Sequence, residues 1–204
     1  MSILSVTEEK ILEAARNVFS RKGMDGARMQ EIADEAGINK ALLHYYFRSK
    51  EKLFEMIFRE ATSRILPGVK GSFASEVSFE EKVRHFVESY YNLLTRNRFL
   101  PVFVLTELSR KPDLLQRHFL SVMQREDALI KTVETAIRRA IDAGEIRPIN
   151  PYDLILNMIA LCVFPFIAAP IFKTLTAMSD EEYEALLHAR KKTVVDFVMA
   201  SLRP

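Results

Sequence analysis

The sequence is poor in the residues that cross-link or bend a chain. It has one cysteine, Cys162, in 204 residues. That excludes an internal disulfide framework and the common cysteine-rich zinc clusters, and it fits a reducing cytosol. Six glycines and eight prolines are too few for a turn-rich β fold. There is no excess of one charge: Lys+Arg 29 against Asp+Glu 27 leaves a net charge of +2, so a nucleic-acid partner must be argued from local charge. The start, Met1-Ser-Ile-Leu-Ser, has no basic run, and Glu8 and Glu9 follow at once. A signal peptide is therefore not expected, and the expected location is the cytoplasm. Gly-x-Ser-x-Gly, a glycine-rich phosphate loop and His-Glu-x-x-His are all missing. None of His44, His85, His118 and His188 pairs with Cys162 or another histidine at metal-ligand spacing. No enzymatic activity, cofactor or metal is expected. A helical enzyme assembling its site from distant residues is the alternative.

What is present is apolar periodicity. Hydrophobic residues make up 49% of the chain, which suits a folded protein. Ile11, Leu12, Ala15, Val18 and Phe19 recur at helical spacing, Ser5 or Thr7 can cap that helix, and Gly23 can end it. Short helices follow at about 29–36 and 40–46, with Gly37 as the break and Asn39 as the second cap. Ser49 caps a fourth helix, with Leu53, Ile57 and Ala61 on one face. It is expected to stop near Ile65, because Leu66-Pro-Gly-Val-Lys-Gly71 follows. Ser78-Phe-Glu-Glu81 opens a helix to about Thr95. A shorter one is expected near 100–110 and a long one over 113–143, ended by Gly144. Asn150-Pro151 starts a helix toward Phe172, with distortions expected at Pro165 and Pro170. Ser179-Asp-Glu-Glu182 caps a last helix, in which Tyr183, Leu187, Val194, Phe197 and Val198 mark one face. The fold class is all-α.

Two short helices joined by a glycine-containing turn are the helix-turn-helix pattern, whose second helix enters the major groove. Residues 1–60 carry ten basic and ten acidic side chains, yet residues 36–50 hold Lys40, Arg48 and Lys50 and no acid. Positive charge is thus focused on the second helix and the start of the fourth. Tyr45 and Tyr46 lie among those cations, where a phenol can donate to a phosphate oxygen. Leu43 and Phe47 are assigned to the core, and both tyrosines being buried is not expected.

The segment Ala36-Gly-Ile-Asn-Lys-Ala-Leu-Leu-His-Tyr-Tyr-Phe-Arg-Ser-Lys-Glu-Lys-Leu-Phe54 resembles the recognition region of the TetR/AcrR family of bacterial transcriptional regulators. Ile11-Leu-Glu-Ala-Ala-Arg-Asn-Val-Phe19 and Ile32-Ala33 match the family's first two helices. The resemblance implies a three-helix helix-turn-helix DNA-binding domain (1–54) and a helical effector-binding and dimerisation domain (55–204). It implies a homodimer on double-stranded operator DNA, with a small hydrophobic effector that releases it. Gln30 and Lys40 fall where family members often approach bases; Tyr45, Tyr46 and Lys50 fall at phosphate positions. Arg28 stands where the family often has a capping Thr, and would be a phosphate contact or solvated. Leu42 and His44 stand where Thr and Tyr are frequent. Leu42 would touch a thymine methyl, and His44 would donate to a phosphate or a base.

Residues 154–172 contain no charge. Their length permits a membrane span, but Asn157, Pro165, Pro170 and the amphipathic helices on both sides argue against one. A helix apolar on all sides must be covered on all sides. Pairing it with the last helix, and with the same pair of a second copy, would do so. Burial within a monomer is the alternative. The resemblance also implies an effector pocket. Phe86, Tyr90, Phe103, Glu107, His118, Phe119, Met123, Asn157 and Phe164 are candidates for its lining, with plain core packing the alternative for the aromatics.

Overall fold

The structure, a computed structural model, describes residues 6–98, 100–102, 104–105 and 129–204. Among the described residues eight helices are defined and there is no strand. They are α1 (Val6–Gly26), α2 (Met29–Glu35), α3 (Lys40–Tyr46), α4 (Lys50–Ala74), α5 (Phe79–Arg96), α6 (Leu129–Asp142), α7 (Pro151–Thr176) and α8 (Asp180–Ser201). The fold is all-α, as the periodicity implied. The chain divides into two compact units, Met1–Ser63 with Asn97–Val122, and Arg64–Arg96 with Met123–Pro204.

In the first unit α1 buries Ile11, Leu12, Ala15, Val18 and Phe19 against Ile32 and Ala33 of α2, Leu43 of α3, Phe47, and Leu53 and Ile57 of α4. Each of the Val, Leu, Ile and Phe side chains among them contributes about 1.5–3 kcal/mol of transfer free energy. The side chain of Ala61, expected on the same face, lies outside the described residues, as does Ser5. Glycine sets two breaks. Gly23 (φ 68°) ends the regular part of α1, and Gly37 (φ 67°) turns the chain between α2 and α3. Both sit in the left-handed region that a Cβ disfavours. The caps are those the sequence suggests: Asn39 Oδ1 accepts from Leu42 N at 2.8 Å, and Ser49 Oγ from Lys52 N at 3.3 Å.

In the second unit Phe79, Val83, Phe86, Val87, Tyr91 and Leu94 form one stripe of α5. It packs with Leu129, Val133, Ile137 and Ala140 of α6, Leu154, Met158, Cys162 and Phe166 of α7, and Tyr183, Leu187, Val194 and Val198 of α8. The helix ends are closed by contacts distant in sequence. Glu145 Oε2 accepts from Phe79 N at 3.2 Å at the start of α5. The Arg147 backbone N–H donates to Leu202 O at 2.9 Å, and its Nε to Ser201 O at 2.7 Å, satisfying carbonyls that α8 leaves without a helical partner. Gly144 (φ 72°) ends α6. A full capping box of Ser179 and Glu182 opens α8.

Three expectations need correction. First, α4 does not stop near Ile65 but continues to Ala74 with Pro67 inside it. A proline removes one helical hydrogen bond. Val69 and Phe73, both buried in the second core, supply burial that outweighs that loss. Second, α7 runs to Thr176 with Pro165 and Pro170 inside it, ending at Ala177 (φ 54°). The Tyr183 hydroxyl donates to the Pro165 carbonyl at 2.6 Å. Third, Phe197 is not on the core face of α8, being 63% exposed. The helix expected near 100–110 falls largely outside the described residues, and of the one expected over 113–143 the part from Leu129 to Asp142 is described. By length and composition alone α7 could cross a membrane: an 18-residue window has mean hydropathy 2.3, with 22% of it buried.

Candidate nucleic-acid interface

The helix-turn-helix is built on one buried anchor. Leu43 is fully buried and fixes the rotation of α3 against the first core, so its neighbours must face outward. Lys40, Ala41, Leu42, His44 and Tyr45 are all exposed, and Tyr46 is half-buried. Tyr45 is 80% exposed and meets Tyr46 edge-on, ring centroids 5.4 Å apart. Phe47 is buried as expected.

Electrostatics sharpen that face. The carboxylates of α2 are turned to α1: Arg21 Nη2 lies 2.6 Å from Glu35, and Lys22 Nζ 2.7 Å from Glu31. The hydrogen bonds from Lys22 and Arg21 hold the Glu31 and Glu35 carboxyls below the usual carboxylate range. Asp34 Oδ1 accepts from Gln30 at 2.8 Å. Three acids of the motif thus have partners of their own, and the 36–50 segment keeps its excess of positive charge.

The remaining expected contacts arrange around α3. Arg28 occupies the N-cap position of α2 in an extended conformation, and its side chain makes no cap bond. Its backbone N–H donates to Glu31 Oε2 at 3.3 Å instead. Glu31 thus supplies the half of a capping box that reaches back to the N-cap N–H, and the Arg28 side chain is exposed. Gln30 is exposed beside it. Lys50 begins α4, with its Nζ 3.5 Å from the Asp25 carbonyl. His44 Nδ1 lies 3.3 Å from the Arg48 carbonyl.

The expected effector residues scatter. Phe86 and Tyr90 come together, ring centroids 5.1 Å apart, with Phe73 6.3 Å from Phe86 on the other side. Burial, and then the nearby Cys162, push the Tyr90 phenol up to about 12. Asn157 and Phe164 do not join them; both lie on the exposed side of α7. Phe103, Glu107, His118, Phe119 and Met123 lie outside the described residues. Among the described residues no group of three His, Cys, Asp or Glu could hold a metal ion.

A second surface was only half legible. Tyr152, Leu156, Phe164, Ile171 and Leu175 are exposed along one side of α7, at spacings of four, seven and eight residues. Phe197 of α8 is exposed as well. The uncharged run signalled an unusual helix; which side chains form the uncovered stripe depends on how α7 is rotated in the core.

Residues 11–57 match the bacterial regulatory proteins of the tetR family, and residues 80–198 the tetracyclin repressor-like C-terminal domain. The chain is 27% identical over 204 residues to the HTH-type transcriptional regulator RutR of Escherichia coli K12, covering 98% of this chain and 92% of that one. It is 19% identical over 193 residues to the fatty acid metabolism regulator protein of Bacillus subtilis, covering 95% and 94%. Its fold resembles that of the fatty acid degradation regulator FadR from Bacillus halodurans, with a TM-score of 0.69, 18% identity and 99% of each chain covered. It also resembles FadR from Bacillus subtilis in complex with stearoyl-CoA, with a TM-score of 0.68, 16% identity, and 96% and 99% covered.

Proposed function

Since the chain belongs to the TetR family of bacterial transcriptional regulators, a family of regulators rather than enzymes, we propose that it is a cytoplasmic homodimeric repressor released from its operator by a small hydrophobic effector. The observation that carries this reading is the outward face of α3: Lys40, Leu42, His44 and Tyr45 exposed on a helix held by one buried leucine, in a segment without acids.

On this reading residues 1–54 bind DNA and 55–204 bind effector and partner. Lys40 and Gln30 approach base edges, and Leu42 meets a thymine methyl. Tyr45, Tyr46, Lys50 and Arg28 hold phosphates, which fix register without reading sequence. The exposed stripe of α7, with Phe197, is the surface that a second copy covers. Two-fold pairing would set two recognition helices to half-sites about 34–36 Å apart. The effector would meet Phe86 and Tyr90. The stearoyl-CoA complex of Bacillus subtilis FadR makes long-chain acyl-CoA the first probe to try.

Effector binding must differ between DNA-bound and released states by about 1–3 kcal/mol to act as a switch. The test is a footprint on genomic fragments of the source bacterium, with and without stearoyl-CoA or cell extract. Protected pseudo-palindromes that are lost on adding ligand are the expected result. Protection that no ligand alters would leave a constitutive DNA-organising protein. No protection even in dilute salt would refute the reading.

A further inference from the structure

The imidazole of His44 is held in one orientation by its own chain. Its Nδ1 lies 3.3 Å from the backbone carbonyl of Arg48. A carbonyl oxygen can only accept, so Nδ1 must carry the hydrogen. The neutral ring is therefore the Nδ1–H tautomer, and Nε2, on the far edge of an exposed ring, holds a lone pair. Protonation adds a hydrogen at Nε2 and leaves the Arg48 bond intact. The two states differ in one respect: Nε2 is an acceptor in the first and a charged donor in the second.

The surroundings decide what each state can meet. On and beside its own helix the nearest charges in sequence are Lys40, one turn earlier, and Arg48, and no acid occurs between Glu35 and Glu51. Lys50 Nζ lies 3.5 Å from the carbonyl of Asp25, an acid of α1, and α3 packs on α2. The acids of α2 are engaged elsewhere: Glu31 with Lys22, Glu35 with Arg21, Asp34 with Gln30. The first turn of α4 brings Lys50, Glu51 and Lys52. Apart from the Arg48 carbonyl, no described residue bonds His44. No described donor bonds Nε2 in the free chain, and the neighbouring cations oppose a charge on the ring, whereas a phosphate oxygen would supply the counter-charge that the protonated ring lacks.

We infer that His44 is a proton-linked DNA contact: it binds the duplex as an imidazolium whose Nε2–H donates to a backbone phosphate, so that operator engagement takes up a proton. This rests on the DNA-binding reading above and adds to it an atom, a tautomer and a pH dependence. A histidine titrates near 6.5 when unperturbed, and a phosphate contact raises that value in the complex. The binding strength lent by the contact is fully present at low pH and is lost as pH rises through the raised value. For a rise of about one unit, affinity falls about sixfold per engaged subunit between pH 6 and pH 8. Because the contact is to backbone, the effect does not depend on DNA sequence.

Fluorescence anisotropy of the intact protein on a labelled 30-base-pair random-sequence duplex at pH 6 and pH 8 tests this, with the His44→Gln variant alongside. The parent is expected to bind about sixfold or more tightly at pH 6, and its log–log salt slope to be steeper there by up to about 0.9 per engaged subunit. His44→Gln, a change at an exposed site, is expected to show the same thermal melt, a much smaller pH response and one salt slope at both pH values. A parent whose affinity is flat between the two pH values, or a His44→Gln variant that keeps the full pH response, overturns the inference while leaving the DNA-binding reading intact. No binding at either pH by folded protein in dilute salt overturns both.

Discussion

Replacing Phe164 by glutamate tests the uncovered face of α7. Phe164 is 66% exposed in the single chain, although it sits between two residues on the buried side, Cys162 and Phe166. Full burial of a phenylalanine removes about 200 Å² from water. Two-thirds of that is about 130 Å² still uncovered. A two-fold pairing repeats the residue, so about 260 Å² of apolar surface per dimer depends on it. At about 25 cal/mol per Å² that is on the order of 6 kcal/mol as an upper figure. Association also costs rotamer freedom and imperfect desolvation of neighbours, so about half of it, on the order of 3 kcal/mol, is a sounder expectation. That corresponds to a dimer Kd roughly a hundredfold weaker, before counting the penalty of burying two carboxylates face to face. Sedimentation equilibrium across a dilution series reads it directly. The same substitution takes little from the core of its own chain, so the helical circular dichroism spectrum should be retained. A Phe164→Glu protein that sediments as a dimer with unchanged affinity would refute the assignment of this stripe to a second copy.

Three further outcomes are expected. Lys50→Ala should weaken binding to all DNA sequences alike and lower the salt slope by about 0.9 for each engaged subunit, read by anisotropy across a salt series; an unaltered slope would show that Lys50 touches no phosphate. Ala177→Gly relieves a left-handed residue at φ 54° that ends α7; thermal melts should show a net stabilisation of up to about 1 kcal/mol, after the entropy of the added glycine is set against the relieved strain. Burial pushes the Cys162 thiol from 9.0 up to about 12 and the Tyr90 phenol from 10.0 up to about 12. Both groups hold their protons more tightly when folded, so the stability they lend is complete below about pH 9 and is lost as pH climbs toward 12. Alkaline melts should fall across that window, and Cys162 should resist alkylation in the native protein near neutral pH and react once it is unfolded. Rapid native labelling would contradict the burial.

The legible part of the structure was local. Caps at Asn39, Ser49, Asn150 and Ser179, and stops at Gly23, Gly37 and Gly144, are decided by residues within a few positions. A side-chain oxygen two or three residues before a free N–H, or a glycine at a positive φ, does its work without knowing the fold. The composition of 36–50, its alternation of Leu43 and Phe47 with polar neighbours, and its likeness to a known recognition segment made the exposed face of α3 readable as well. Where the sequence misled, the deciding energy came from far away. Pro67 read as a terminator because its local cost is certain; the burial of Val69 and Phe73 in the second core offsets it, and no neighbour in sequence announces that.

What the sequence determined alone, then, was helix content, most helix boundaries and the charge on the recognition segment, since each depends on spacing along the chain. Only the tertiary structure decided which faces are covered. The rotation of α3 is set by Leu43 in a core drawn from four helices. The turning of Glu31 and Glu35 toward Arg21 and Lys22 is a pairing between helices, as are the closures by Glu145 and Arg147. The exposure of Phe164, Asn157 and Phe197 follows from the same cause: an apolar residue on a helix that is apolar all round carries no mark of inside or outside until the other helices pack against it.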